Sequence, residues 1–263
     1  MDSIILKKEA SIGTITLNKP KQFNAFDIDL ASDLNDALKE LDREDSIKVI
    51  VIKGSKKYFS IGISLEELQS KNAQQTKEFV YIMNEFYHTI HHLKKPTIAS
   101  VNGYAVANGA GLLFACDLAV SSKSAKIGIT AINVGLCGIG ASLPLRYSLS
   151  RKIIMEMLLT GKVLNAYQAK RMFMVNKIVD GKLLEEETYK LAYNIAQKNQ
   201  TAIEMTKIGM EDLMDIEFDK AVDYSSDLFS YLVNTNEAKS TLIEKISKKK
   251  EGVKVSRVRD KPV

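Results

Sequence analysis

The sequence predicts an α/β fold, on three observations. A continuous apolar run, Lys48-Val49-Ile50-Val51-Ile52-Lys53, has the length and composition of a strand buried on both faces. A second such run, Thr97 to Val101, follows a helical pattern that Pro96 terminates. A third, Leu118 to Ser121, follows a glycine-rich turn and a short helical stretch. Strands alternating with helices argue for a parallel sheet with right-handed crossovers.

The elements follow in order. Ile4 to Leu17 reads as two short strands, with alternation strongest over residues 12–17, and Asn18-Lys19-Pro20 ends them with turn chemistry. Asp27 caps an amphipathic helix whose apolar stripe is Ile28, Ala31, Leu34, Leu38 and Leu41. Gly54 stops the first buried run. A helix over roughly 75–93 turns Phe79, Ile82, Met83, Phe86 and Ile90 inward. Asn102-Gly103 is the turn after the next strand. Beyond about Leu143 the pattern is almost wholly helical, with segments near 151–160, 183–198, 201–214, 219–233 and 237–249. No Pro/Gly/Ser-rich linker divides the halves. The expectation is a core over 1–200 and a helical oligomerisation region over 201–263 of the same domain.

Length and composition fit an ordinary globular protein: 263 residues, 45% hydrophobic and 26% charged. The first residues carry neither a signal-peptide nor a transit-peptide pattern, and no apolar window is long enough to span a bilayer. Cys116 and Cys137 make no disulfide framework or metal spacing, which suits a reducing compartment. The expected location is the cytoplasm, away from membranes. Much of the net charge of +5 sits in Lys245, Lys248, Lys249, Lys250, Lys254, Arg257, Arg259 and Lys261. Such a patch can meet RNA, an anionic membrane or the phosphates of a nucleotide-like ligand. A solvated helix end explains it without a partner, and nucleic acid is not the expected one.

Two turns carry candidate chemistry. The first, Gly54 to Leu68, leaves a strand, passes Gly62 and enters a short helix. Gly62 permits a sharp turn and close approach of a ligand to the main chain, and the Ile63 amide then points outward. The same arrangement is also an ordinary structural turn. In the second, Val101 to Val120, small residues crowd 105–111 before an apolar helix. Free amides of Asn108 and Gly109 then lie at a helix N-terminus, where negative charge is favoured. Close packing of helix on strand is the alternative use of those small residues. Two amide donors converging on one oxygen would form an oxyanion hole.

Both segments resemble the enoyl-CoA hydratase/isomerase, or crotonase, family, and the resemblance spans the chain. Its motifs are Leu17-Asn18-Lys19-Pro20-Lys21-Gln22-Phe23-Asn24-Ala25, Phe59-Ser60-Ile61-Gly62-Ile63-Ser64, the block Pro96 to Gly103, Cys116-Asp117, and Leu159-Thr160-Gly161 through Ala166 and Ala169. The resemblance implies a ClpP-like spiral of ββα units with C-terminal helices that trimerise, often as a dimer of trimers (a hexamer). It implies an acyl-CoA thioester substrate, with coenzyme A entering as part of that substrate and no further cofactor. It assigns the oxyanion-hole amides to Ile63 and Asn108 and puts adenosine and pantetheine near Gln22, Phe23, Ala25, Ser60 and Ile61. It runs the acyl chain past Leu65 and the 130–140 loop, and brings Gly62, Ser64, Val106, Gly109, Gly111, Thr130 and Ala131 to the substrate.

Catalysis is where this chain departs from the pattern. Hydration needs groups that deliver and return a proton. The two glutamates that family hydratases use correspond here to Gly111 and Ala131, and no Asp or Glu lies between Asp117 and Glu156. The Asp nucleophile and the helix His of the dehalogenase branch correspond here to Ser142 and Asn84, neither of which suits the role. The resemblance therefore favours decarboxylation, hydrolysis or weak hydration, all of which lean on enolate or oxyanion stabilisation. A non-catalytic acyl-CoA-binding or assembly protein is the alternative. Other candidates are Glu66 and Glu67 beside the first turn, Cys137 as a thiol nucleophile, Asn133 as a water-orienting amide, and a His88/His92 pair at metal-binding spacing. That pair has no accompanying carboxylate, and no metal is expected.

Overall fold

A computed structural model of the chain describes residues 2–55 and 57–259, with side chains through 247. The described residues form two compact units that divide between Ala196 and Gln197.

The first unit contains β1 (Ile4–Glu9), β2 (Ile12–Leu17), α1 (Ile28–Arg43), β3 (Val49–Lys53), β4 (Tyr58–Ser60), α2 (Leu65–Gln69), α3 (Ala73–His92), β5 (Thr97–Val101), β6 (Tyr104–Val106) and α4 (Asn108–Ala115). It continues with β7 (Leu118–Ser122), β8 (Lys126–Gly128), α5 (Ile139–Ser142), α6 (Arg151–Thr160), β9 (Val163–Asn165), α7 (Ala166–Arg171), β10 (Lys177–Val179) and α8 (Leu184–Ala196). One sheet has the order β1-β2-β3-β5-β7-β10, parallel except for the β1–β2 hairpin. A second sheet runs β4-β6-β8-β9, parallel except at β9.

The two sheets record a repeat. After β3 the chain places β4 in the second sheet; after β5 it places β6; after β7 it places β8. Three successive turns of the chain thus lay one strand in each layer, and helical segments join them.

The apolar run at 49–52 works because side chains alternate across a strand. Ile50 and Ile52 join the core with Leu30, Leu34 and Leu38 of α1 and Phe79, Met83 and Phe86 of α3. Val49 and Val51 face the other way, into a smaller core with Ile12, Ile98, Val120 and, from α8, Leu184, Ala192 and Ala196. Polar tethers lock α8 there: Tyr189 with Thr14 at 2.6 Å and Thr188 with Ser100 at 3.0 Å. The side chain of Asp27 caps α1 by accepting from the Leu30 amide, as its position predicts.

The sequence reading is corrected in two places. The stretch after Leu143, expected to be almost wholly helical, also carries β9 and β10 between its helices. The second sheet went unread because its strands are three residues long, too short to show a period.

The second unit consists of α9 (Gln200–Leu213), α10 (Phe218–Asn234) and α11 (Asn236–Arg259), which pack on one another. Leu228 of α10 meets Gly209 of α9: a Cβ on that glycine would lie 2.8 Å from Leu228 Cδ1. Leu228 is therefore engaged inside the unit. Phe218, Phe229, Tyr231 and Ile243 are exposed, and α10 has no fully buried residue. The side chains of Lys248, Lys249, Lys250, Lys254, Arg257 and Arg259, and Lys261 entirely, lie outside the described residues.

Candidate active site

Strands β4, β6 and β8 are neighbours and parallel, so the turns that leave them emerge at one edge of the second sheet. That edge, at the carboxyl ends of parallel strands, is where open α/β sheets bind ligands. Residues 61–64 leave β4, 107–109 leave β6 and 129–131 leave β8.

The first two turns pack directly on each other. Gly62 has φ +94°, a conformation L side chains rarely adopt. A Cβ there would lie 2.6 Å from Ala107 Cβ and 3.0 Å from the Asn108 amide nitrogen. Gly109 is pressed onto the Ser60 backbone, leaving no room for a side chain. Both glycines therefore serve close approach of two backbones. Ala107 itself has φ 50° and ψ −127°, a strained conformation for a residue with a Cβ.

The amides point away from this contact. The Phe26 amide donates to the Gly62 carbonyl at 2.7 Å, and the Ser64 amide donates to the Phe26 carbonyl at 2.8 Å. In such a parallel bridge the residue between, Ile63, turns its own N–H to the opposite side. Asn108 is the first residue of α4, where the helix supplies no acceptor for its N–H. Among the described residues neither amide donates a hydrogen bond. Asn108 is buried, and its side-chain amide is occupied elsewhere, donating to the Asn84 side chain at 3.3 Å and the Met83 carbonyl at 3.4 Å. Its backbone N–H is left to the site.

The loop at 22–25 joins these turns through Asn24, which is fully buried and left-handed (φ 55°). Its Nδ2 donates to the carbonyls of Tyr58 (3.2 Å) and Phe59 (3.1 Å), and its Oδ1 accepts from the Lys19 amide at 2.9 Å. Ser60 is also fully buried. Its hydroxyl donates to the Asn24 carbonyl at 2.7 Å and accepts from the Gly62 amide at 3.1 Å. Ser60, expected at the substrate, thus acts with its side chain as a tie between loop and turn. Ser64 is the N-cap of α2, accepting from the Glu67 amide. Ala25 is buried, while Gln22 and Phe23 are exposed and Ile61 and Val106 half-buried. Phe23 begins a row of rings unread from sequence: Phe23–Tyr58 at 4.6 Å and Tyr58–Tyr104 at 5.9 Å between centroids.

The remaining candidates separate. Gly111 is buried on α4, and a Cβ there would overlap the Tyr87 hydroxyl and come within 2.9 Å of its Cζ and 3.0 Å of Ala141 Cα. Thr130 and Ala131 are half-buried just beyond β8; Leu65 and the loop residues Ile132, Val134, Leu136 and Ile139 are exposed apolar groups. Asn133 does not face the site as a free amide: it donates to the Gly161 carbonyl at 3.4 Å. Ser142 donates to Ile139 O, and Glu67 pairs with Lys71 at 3.2 Å. His88 and His92 are exposed on α3, and no cluster of three metal-ligating residues occurs among the described residues. Cys137 is an exposed thiol, and Cys116 is buried.

The family model for enoyl-CoA hydratase/isomerase matches residues 7–252. The chain belongs to that family. Among its relatives, the crotonyl-CoA hydratase of Syntrophomonas wolfei is 29% identical over 251 residues, covering 95% of this chain and 96% of the relative. The short-chain-enoyl-CoA hydratase of Clostridium acetobutylicum is 25% identical, covering 97% and 98%. The crystal structure of a Mycobacterium smegmatis enoyl-CoA hydratase superposes with a TM-score of 0.88 at 28% identity, over 93% of this chain and 97% of that one. The two-layer spiral is therefore the crotonase fold.

Most of the family motifs in this chain are structural ties. Besides Asn24 and Ser60, Asp117 accepts from the Thr97 amide (2.6 Å) and hydroxyl (2.8 Å), fixing the start of β5 to the end of α4. Asn165 and Gln168 form a capping box at α7, over the buried Ala166 and Ala169.

Proposed function

We propose that this enoyl-CoA hydratase/isomerase family chain binds an acyl-CoA thioester with its carbonyl oxygen between the amides of Ile63 and Asn108. One observation carries the reading: the Gly62 turn is packed onto the Ala107–Asn108 peptide while both adjoining N–H groups lack acceptors among the described residues. Two preset donors stabilise negative charge developing on that oxygen, at no reorganisation cost during reaction. The exposed Phe23 and Gln22, beside Tyr58, suit the coenzyme A portion, which enters with the substrate; no separate cofactor is invoked.

The reaction is one in which oxyanion stabilisation does most of the work. Gly111 has no room for a carboxylate, and residues 118–155 contain no Asp or Glu. In a decarboxylation the bond between the α carbon and the carboxylate breaks and its electron pair moves into the thioester, forming the enolate the two amides hold. A proton from solvent then completes the product. Hydrolysis or slow hydration by an ordered water uses the same two donors. A binding protein without turnover is the second reading, favoured by the same shortage of carboxylates.

The second unit is read as an oligomerisation surface that assembles a homotrimer or a dimer of trimers, on the exposed Phe218, Phe229 and Tyr231. The protein is read as cytoplasmic. Among the described residues no helix is long and apolar enough to cross a membrane.

The test is the rate of crotonyl-CoA hydration beside that of the Syntrophomonas relative. General acid–base groups contribute roughly 10²–10⁴-fold, so a rate lower by at least about 10²-fold is expected. Hydration at the relative's rate would overturn the chemical half of the proposal. Turnover of a malonyl-type thioester to carbon dioxide would support the decarboxylation reading over simple binding.

A further inference from the structure

Tyr87 of α3 stands out in the interior. Its residue is half-buried, but its hydroxyl is sealed from solvent and has no hydrogen-bond partner among the described residues. Such groups are rare in folded proteins, and each calls for an explanation. The ring packs on Phe86 at 4.1 Å between centroids, and the hydroxyl projects to Gly111, where any Cβ would collide with it. Ala141 closes the same spot. The pair is matched: Gly111 leaves the space that the phenol oxygen fills.

The neighbouring polar groups do not serve it. Asn84, one turn earlier on α3, accepts from the Asn108 side chain, and the Gly111 N–H donates to the Ala107 carbonyl at 3.1 Å. Burial raises the phenol above the usual tyrosine range, so it stays protonated and is a donor, not a base.

Its place relative to the oxyanion donors gives it a role. Gly111 lies three residues after Asn108, on the same side of α4 and about 4.5 Å along its axis. An acyl chain running from the Asn108 amide alongside α4 would bring an oxygen on its β carbon beside Gly111, one helical turn along. We propose, on the acyl-CoA reading above, that the Tyr87 hydroxyl donates a hydrogen bond to an oxygen on the acyl β carbon, and so selects β-oxygenated thioesters over plain saturated ones. A ligand oxygen there would displace the Ala141 contact that seals the hydroxyl and give the phenol the acceptor it lacks in the free protein.

The experiment is calorimetric titration of acetoacetyl-CoA and butyryl-CoA into the full chain and its Tyr87→Phe variant, with thermal midpoints of both free proteins. The wild type is expected to bind acetoacetyl-CoA about 10-fold more tightly, one hydrogen bond's worth. Tyr87→Phe abolishes that preference, leaves butyryl-CoA affinity unchanged and, by removing an unpartnered hydroxyl, raises the midpoint by about 2–4 °C. A wild type without the preference, or a variant that keeps it, overturns the proposal. So does a variant that weakens both ligands equally, because that reports a packing role or a hydroxyl resting on water. If the wild type binds neither thioester, the acyl-CoA reading itself fails, and the Tyr87 role with it.

Discussion

Replacing Gly62 by alanine tests the contact on which the site is built. At φ +94° an L residue carries about 1–2 kcal/mol of strain. The new methyl would lie 2.6 Å from Ala107 Cβ, well inside the ~3.5–4.0 Å optimum for carbon pairs. Overpacking of this kind typically costs about 1–3 kcal/mol. The sum is about 2–5 kcal/mol, or a midpoint lower by about 4–20 °C at 2–4 °C per kcal/mol. Relief comes from separating the two turns, which moves one amide away from the other. Acetyl-CoA affinity should then fall toward that of free coenzyme A, since the thioester oxygen loses a donor. Gly135→Ala is the control. It has φ +76° but nothing within 4 Å of its Cβ, so it reports strain without crowding. Thermal melts and calorimetry on both variants decide the matter. A Gly62→Ala protein no less stable than Gly135→Ala, with undiminished acetyl-CoA affinity, would refute the packed-turn account.

Three further outcomes follow from the same geometry. Gly111→Glu, alone or with Ala131→Glu, should yield a destabilised protein without hydratase activity, because Tyr87 fills the space; a gain of crotonyl-CoA hydration in either variant would contradict this. Asn24→Ala should lower stability by roughly 1–3 kcal/mol, since it strips partners from two carbonyls and one amide, and denaturant unfolding reads it. Light scattering at micromolar concentration should give a trimeric or hexameric mass, and a monomer would contradict the role given to the exposed face of α10.

The legible parts of this fold were those with long periods. The apolar runs of β3 and β5 and the stripes of α1 and α3 repeat often enough to fix type and position, and Asp27 and Pro96 mark boundaries by local chemistry alone. The three-residue strands of the second sheet were illegible for the opposite reason. Their pairing is decided by partners that follow 22 or more residues later, as with Tyr104 and Lys126, and three residues display no alternation. The first glycine-bearing turn is legible from Gly62 between a strand and a short helix, the second from small-residue crowding before a helix. That they touch was not legible, because contact follows from the parallel pairing of β4 with β6. Ser60 has a structural use that the motif does not reveal: its buried hydroxyl is spent on Asn24 and Gly62, which leaves its main chain for a ligand. Tyr87 was overlooked, although it lies four residues after Met83 and three before Ile90, on the inward stripe of α3. A phenol on an apolar stripe was the available signal. What it faces is set by Gly111, twenty-four positions away.

The central claim is that two backbone amides hold the thioester carbonyl. It is tested most directly by comparing acetyl-CoA with its S-ethyl thioether, which keeps the coenzyme and the two-carbon group but lacks the carbonyl oxygen. Two hydrogen bonds at about 0.5–1.5 kcal/mol each predict roughly 5–150-fold weaker binding of the thioether by calorimetry. Equal affinity for the two ligands would contradict the account.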